Sequence, residues 1–272
     1  MKNNIKHDPW HIIEEKFPGV HNEFSESIFS IGNGRMGQRA NFEETFSGKT
    51  LQGSYIAGVY YPDKTRVGWW KNGYPEYFAK IINSIHWIGL EILIDGQQLD
   101  LAKCKIREFS RRLDMKKGVL YRSFTALMAN GIEVQVNASR LYHMFQTQTA
   151  SLQYSLTPLN SDVLVQVSSK LNGDVVNRDS NYDEKFWVEL ERSFESDLRL
   201  RMETKKTGYQ VESLLYTSFS LDDEPLTDVK KHEEGTLLQN TYVGELRKGS
   251  VLTIEKRVAI VSTTNNSQST LR

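Results

Sequence analysis

Asn130-Gly131-Ile132-Glu133-Val134-Gln135-Val136-Asn137 carries the pattern that decides the fold. Apolar Ile132, Val134 and Val136 alternate with polar Glu133, Gln135 and Asn137. A period of two puts successive side chains on opposite faces of an extended chain. The stretch therefore predicts a strand with one face in a core and the other in water. The Asn-Gly pair ahead of it favours the φ > 0 turns that join antiparallel strands.

The same pattern recurs in both directions. Leu152, Tyr154 and Leu156 alternate with polar neighbours, as do Val163, Val165 and Val167, and Leu198, Leu200 and Met202 alternate with Arg199 and Arg201. Residues 258–261 predict a more fully buried strand. Turn signals separate the runs at Asp95-Gly96, Lys117-Gly118, Pro158-Leu159-Asn160, Asn172-Gly173 and Lys248-Gly249. Many short strands with frequent turns predict a mainly all-β chain built as a large antiparallel β-sandwich. Helical periodicity is weak, and the short helices expected are one over residues 77–82 and one beginning near Pro9. One domain over residues 1–272 is the simplest organisation, with the polar tail from about 262 reading as a frayed end or the start of a linker.

Composition excludes several function classes. Lys plus Arg and Asp plus Glu are each 34, so the net charge is zero and no footprint for nucleic acid or an anionic membrane is present. Arg107, Arg111 and Arg112 form a local basic group that reads as a solvated strand edge. The lone Cys104 cannot make an internal disulfide, which points to a reducing, cytoplasmic setting. The N-terminal residues lack the apolar run of a signal peptide, and no run approaches the ~20 residues of a membrane span.

Three motifs have bland readings. Gly32-Asn33-Gly34-Arg35-Met36-Gly37 matches G-x-G-x-x-G, but no helical stripe follows to present its N-terminus to a pyrophosphate. The surrounding residues 26–44 read as two strands joined by a tight Gly-Asn-Gly turn. Ser47-Gly48-Lys49-Thr50 lacks the earlier glycine of a phosphate-binding loop and reads as a surface turn. His7 and His11 lie four apart around Pro9 without the flanking glutamate of a zinc helix, so no metal site is expected, and His86 and His143 read as hydrogen-bonded structural histidines. Glu43 and Glu44 are adjacent and would point to opposite faces of a strand, which disfavours an acid–base pair; one of them is expected to make a buried structural hydrogen bond. Asp222-Asp223 and Glu233-Glu234 read as solvated charge.

The segment suited to a ligand runs from Tyr55 to Phe78. It holds Tyr60, Tyr61, Trp69, Trp70, Tyr74 and Tyr77, mixed with Lys71, Asn72 and Glu76, and strand alternation is poor there. Aromatic rings pack on the C–H faces of sugars, and the polar groups suit their hydroxyls. Trp69, Trp70, Lys71, Asn72, Tyr74 and Glu76 are the candidate substrate-binding residues. The alternative is a loop whose aromatics anchor it on the sandwich or bury an interdomain contact. No catalytic constellation is legible.

Residues 26–44, which contain Ser30-Ile31-Gly32-Asn33-Gly34-Arg35-Met36-Gly37, resemble the entry motif of glycoside hydrolase family 65, the family of maltose, trehalose and kojibiose phosphorylases. Trp10-His11-Ile12-Ile13-Glu14 resembles its opening strand. Gly53-Ser54-Tyr55-Ile56-Ala57-Gly58-Val59-Tyr60 and Leu113-Asp114-Met115-Lys116-Lys117-Gly118-Val119-Leu120 resemble further segments in the family's order, covering essentially the whole chain. Arg35 stands where an aromatic or apolar residue is common, and Ala40 where glycine is usual.

The resemblance implies an N-terminal β-sandwich of the galactose mutarotase-like type. In the family a helical (α/α)6 barrel follows and carries the catalytic glutamate, so no catalytic residue transfers to this chain. The reaction implied for the parent enzyme is inverting phosphorolysis of an α-glucosidic disaccharide such as maltose. Inorganic phosphate is the co-substrate, no organic cofactor is needed, and the enzyme is a homodimer. The partners implied are the helical domain in cis and the disaccharide, with residues 67–80 leaning over the barrel mouth. The readings that stand beside this one are a stand-alone carbohydrate-binding module and a mutarotase-like enzyme.

Overall fold

A computed structural model describes residues 5–66, 73–195 and 197–264, without the side chain of His7. Two antiparallel sheets form the body. The larger has eleven strands, the smaller five. Across the larger sheet the order is Ile5–His7, His11–Glu14, Lys105–Asp114, Val119–Leu127, Glu133–Tyr142, Thr149–Pro158, Leu252–Ser262, Gln210–Leu221, Leu198–Thr204 and Trp187–Ser193, with Glu224–Leu226 paired to Gln210–Leu221. The smaller sheet runs Val229–Glu234, Leu237–Leu246, Val163–Asn172, Leu90–Ile94 and Gln97–Gln98.

The alternation read from the sequence is what closes the sandwich. Val134, Val136, Tyr154, Leu156 and Ile254 from the large sheet are buried against Ile92, Ile94, Val165 and Val167 from the small one. A second cluster continues the core through Leu152, Leu200, Leu215, Val258, Leu171 and Leu238. Removing this apolar area from water is the main stabilising term, at about 25 cal/mol per Å2. The strand Leu252–Ser262 alternates strictly, with Val258 and Ile260 inside and Ala259 and Val261 half-buried, so residues 258–261 are not the fully buried run expected.

Turn chemistry fixes the registers. Ile94 pairs with Gln97, and both residues between them, Asp95 and Gly96, have positive φ, as a two-residue type I′ hairpin requires. Leu221 pairs with Glu224 in the same way around Asp222 and Asp223, so this acidic pair is a hairpin turn.

Both predicted helices are absent. Tyr77–Ile81 is a strand paired with Tyr60–Lys64, and the chain near Pro9 turns between Ile5–His7 and His11–Glu14. Among the described residues the α-helix is Asn22–Ile28, preceded by a 3-10 turn at Gly19–His21. Residues 26–28, expected as strand, therefore belong to this helix. Its inward residues are Asn22, Ser25 and Glu26, so no apolar stripe marks it in the sequence.

Candidate functional site

The hairpin of Tyr60–Lys64 and Tyr77–Ile81 stands beside the main sheets as its own two-stranded ribbon. Trp69, Trp70, Lys71 and Asn72 lie outside the described residues. Of the sequence-predicted binding residues, Tyr74 and Glu76 are described, and both side chains are exposed near the ribbon's end. Thr65 ties the two legs together: its backbone N–H donates to the Glu76 carbonyl at 2.8 Å and its hydroxyl to the Pro75 carbonyl at 2.6 Å.

The ribbon's inner side is anchored on residues 177–186. Asp63 is fully buried and pairs with Lys80 at 2.8 Å, while the Asn181 backbone N–H donates to it at 3.0 Å. Tyr61 is also fully buried, stacks on Phe186 at 4.2 Å and donates to Glu184 at 2.6 Å. Burial first, and then Glu184, push the Tyr61 phenol well above its usual range. Burial alone would raise the Glu184 carboxyl, but hydrogen bonds from Tyr61 and Lys206 outweigh it and hold that group below the usual range. Asp63 and Glu184 are thus committed to anchoring the ribbon, and Glu184 is ionised at neutral pH, which leaves it no proton to give as a general acid.

The ribbon's outer side is apolar and open. Ile81 is 69% exposed, and its cross-strand partner Tyr60 and Tyr77 are exposed on the same face, whereas Phe78 pairs with Asp63 and by alternation shares the inner face. Tyr60 and Ile81 form one wall of a depression of about 330 Å3 whose other walls are Gly34, Arg35, Met36 and the segment 55–59. The Gly-Asn-Gly turn that forms this floor is tightly held. Asn33 accepts from the Arg35 and Met36 backbone N–H groups at 3.1 and 3.0 Å, and its amide donates to the His143 and Thr147 carbonyls at 2.8 and 2.9 Å. Gly34 sits at φ +85°, a left-handed conformation that suits glycine. The strand Met36–Gln38 follows, with no helix to receive a pyrophosphate. Thr264, two residues past the last strand, donates to the carbonyl of Ala57, which lines this depression, at 3.1 Å.

The chemistry-bearing groups that sequence reading missed lie inside the sandwich. Arg111, Arg122, Arg140 and Lys256 are all buried on the inner face of the large sheet. Arg122 donates to both Glu43 and Glu44, Arg140 donates to Glu43, and Tyr154 donates to Glu44 at 3.1 Å. Glu43 and Glu44 are off the strands and converge on one guanidinium, against the expectation of opposite faces. Burial would raise the Glu43 carboxyl, but Arg140 and Arg122 outweigh it and hold it at about 2. Arg111 is 1% exposed, with its guanidinium 4.9 Å from the Phe42 ring centre, and is no solvated edge. These ion pairs hold the segment 39–44 to the sheet.

The remaining candidates take structural places. His143 Nδ1 accepts from the Gln146 backbone N–H at 2.8 Å, capping a loop. Burial, reinforced by Lys256, Arg140 and Lys170, lowers His86 to about 3, so it is neutral. Burial and Asp100 push the Cys104 thiol up, away from a reactive thiolate. Among the described residues no group of three or more His, Cys, Asp or Glu could hold a metal, and no helix is long and apolar enough to cross a membrane.

Comparison with known proteins agrees with the resemblance. The profile of "Glycosyl hydrolase family 65, N-terminal domain" matches residues 12–272. Maltose phosphorylase of Bacillus subtilis is 41% identical over 189 residues, covering 70% of this chain and 25% of that protein. Alpha,alpha-trehalose phosphorylase of Thermoanaerobacter brockii is 27% identical over 93% of this chain and 34% of its own length. A solved structure of a putative kojibiose phosphorylase from the human microbiome superposes with a TM-score of 0.84 at 26% identity, over 99% of this chain and 35% of that one. This chain thus spans a quarter to about a third of each of these relatives, and it belongs to glycosyl hydrolase family 65 as its N-terminal domain.

Proposed function

We propose that this chain is the non-catalytic N-terminal sandwich of a cytoplasmic, homodimeric disaccharide phosphorylase, and that its outer ribbon face docks the helical catalytic domain. The observation that carries this reading is the apolar face of Tyr60, Tyr77 and Ile81, which adjoins the rigid Gly-Asn-Gly turn and the Ala57 carbonyl that Thr264 holds. An exposed apolar patch of this kind marks an interaction site. Asp63 and Glu184, on the ribbon's inner side, are engaged in anchoring.

The reaction assigned to the whole enzyme is phosphorolysis of an α-glucosidic disaccharide such as maltose to β-glucose 1-phosphate and glucose. Phosphate arrives as an anionic nucleophile. One carboxylic acid, protonating the leaving oxygen, then suffices where an inverting hydrolase needs a second carboxylate. That acid belongs to the helical domain. The loop of Trp69, Trp70, Lys71 and Asn72, with Tyr74 and Glu76, is assigned to the rim of the sugar pocket.

A chimaera tests this. This chain replaces the corresponding N-terminal part of the Bacillus subtilis maltose phosphorylase, and glucose 1-phosphate release from maltose and phosphate is measured. Activity in the chimaera, its loss with Tyr60→Asp plus Ile81→Lys, and none in this chain alone are expected. Phosphorolysis by this chain alone, or full activity in the doubly substituted chimaera, would overturn the proposal.

A further inference from the structure

The outer face of the large sheet changes character across its width. Over Leu198–Thr204 and its neighbours the outward side chains are charged and paired, Arg199 with Glu212 at 2.8 Å and with Glu191 at 3.1 Å. Over Val119–Leu127, Glu133–Tyr142 and Thr149–Pro158 they are uncharged apart from Glu133, which pairs with Arg107 at the edge, and serine, threonine, asparagine and glutamine predominate. Register puts Tyr121 opposite Ser139 and Ser139 opposite Gln153; in the next row Ser123 faces Asn137 and Asn137 faces Ser155.

This face is also indented. Two depressions of about 490 and 300 Å3 adjoin on it and share Ser139 and Gln153. An aromatic ring stands toward each end. The Arg112 guanidinium lies 4.8 Å from the Tyr121 ring centre, and the Arg257 guanidinium 6.0 Å from that of Tyr216. From the strand of Tyr121 to that of Arg257 is three strand spacings, ~14 Å.

Contact with water alone would admit lysine and glutamate here, as on the charged half of the same sheet. Serine, asparagine and glutamine instead supply directional donors and acceptors along the middle, with Arg112 toward one end and Glu255 and Arg257 toward the other, and the Gln153 amide donates to Glu255 at 3.4 Å. A protein partner would need large apolar anchors, and a polyanion would need clustered cations. The centre of the trough offers neither.

We infer that this trough is a carbohydrate-binding surface for a neutral glucan of two or more rings. Sugar C–H faces rest against Tyr121 or Tyr216, and hydroxyls bond to Ser139, Gln153 and Asn137. It shares no lining residue with the ribbon face, and it stands whether or not that face docks a catalytic domain.

Saturation-transfer NMR and calorimetric titration of this protein with maltotriose test the inference. A dissociation constant on the order of 1 mM is expected, as befits an open site. Ser139→Arg, which fills the trough floor, and Tyr121→Ala, which removes a platform, should each weaken binding by about tenfold or more. Arg199→Ser and Ile81→Lys, on the charged half and the ribbon, should leave it unchanged. Far-UV circular dichroism checks that each variant folds, and Tyr121→Ala decides alone if Ser139→Arg does not. No maltotriose binding by the unsubstituted protein, undiminished binding by a folded trough variant, or loss of binding in Ile81→Lys would each overturn the assignment.

Discussion

Glu44 accepts a hydrogen bond from Arg122 at 2.6 Å with both side chains buried inside the sandwich. The same guanidinium serves Glu43, which Arg140 also contacts, so two strands and the segment 39–44 share one buried ionic network. Cutting one member leaves an uncompensated charge where water does not reach. Arg122→Met leaves Glu43 paired with Arg140 but leaves Glu44 only the Tyr154 hydroxyl. A loss of about 3–5 kcal/mol is expected, read from urea denaturation. A loss below about 1 kcal/mol would mean that solvent relieves Glu44.

Acid should weaken the fold in two stages. His86 falls from 6.5 to about 3 in the folded chain, because burial, Lys256, Arg140 and Lys170 disfavour its proton and Glu43 only partly offsets them. The unfolded chain therefore binds the proton first, and stability declines as pH drops from 6.5 toward about 3. Glu43 is held at about 2 against an ordinary 4.5, so its contribution is complete above 4.5 and is lost as pH falls through about 2. His86→Gln should flatten the urea midpoint between pH 6.5 and 4.5 and leave the steeper decline below it. An unchanged profile in the upper window would show that His86 takes its proton in the folded state.

The sandwich was legible because its strands are wet on one face and dry on the other. Leu252, Ile254, Val258 and Ile260 mark an inward series in which Lys256 occupies the same phase, so this buried lysine was also readable by parity. Arg111 was not. Glu108 has positive φ, and the register shifts between Arg107 and Ser110, so a bulge reverses the phase ahead of Phe109 and Arg111. Tyr77–Ile81 gave no period-two signal because four of its five residues are exposed and the fifth is half-buried. The helix Asn22–Ile28 was hidden for the opposite reason. Its buried side is polar, with Ser25 donating to Glu14 at 2.6 Å and Asn22 accepting from Arg111 at 3.2 Å. At the candidate site the density of aromatics was visible in the sequence. Which rings anchor, as Tyr61 does, and which stay open, as Tyr77 does, depends on residues 177–186, about a hundred positions away.

Lys256 separates buried charge from buried shape. Its ammonium donates to the carbonyls of Gly89 at 2.9 Å and Lys170 at 3.2 Å, and burial drives its pKa well down. No carboxylate within salt-bridge distance is recorded for it among the described residues. Lys256→Met keeps most of the volume and removes the desolvation cost, so thermal stability should hold within about 1 kcal/mol or rise. Lys256→Ala opens a cavity and should cost about 2–4 kcal/mol. Equal losses in the two variants would show that the ammonium's hydrogen bonds outweigh its desolvation.

Asp63 and Lys80 should control the ribbon without controlling the sandwich. Lys80 bridges the buried Asp63 and the loop at Asp179, and it is the only cation within salt-bridge distance of Asp63 among the described residues. With Lys80→Met, Asp63 keeps the Asn181 N–H but loses its charge partner, so the ribbon and residues 177–186 lose their lock. Of the ribbon's ten residues only Tyr61 belongs to a core cluster. Hydrogen exchange should therefore rise severalfold across residues 60–64 and 77–81, while residues 134–138 and 165–169 keep their protection. The double variant Asp63→Asn plus Lys80→Met removes the orphaned charge and should restore much of the ribbon's protection. Uniform loss of protection in Lys80→Met would mean that the ribbon and the sandwich unfold as one unit, and the docking face would then be as stable as the core beneath it.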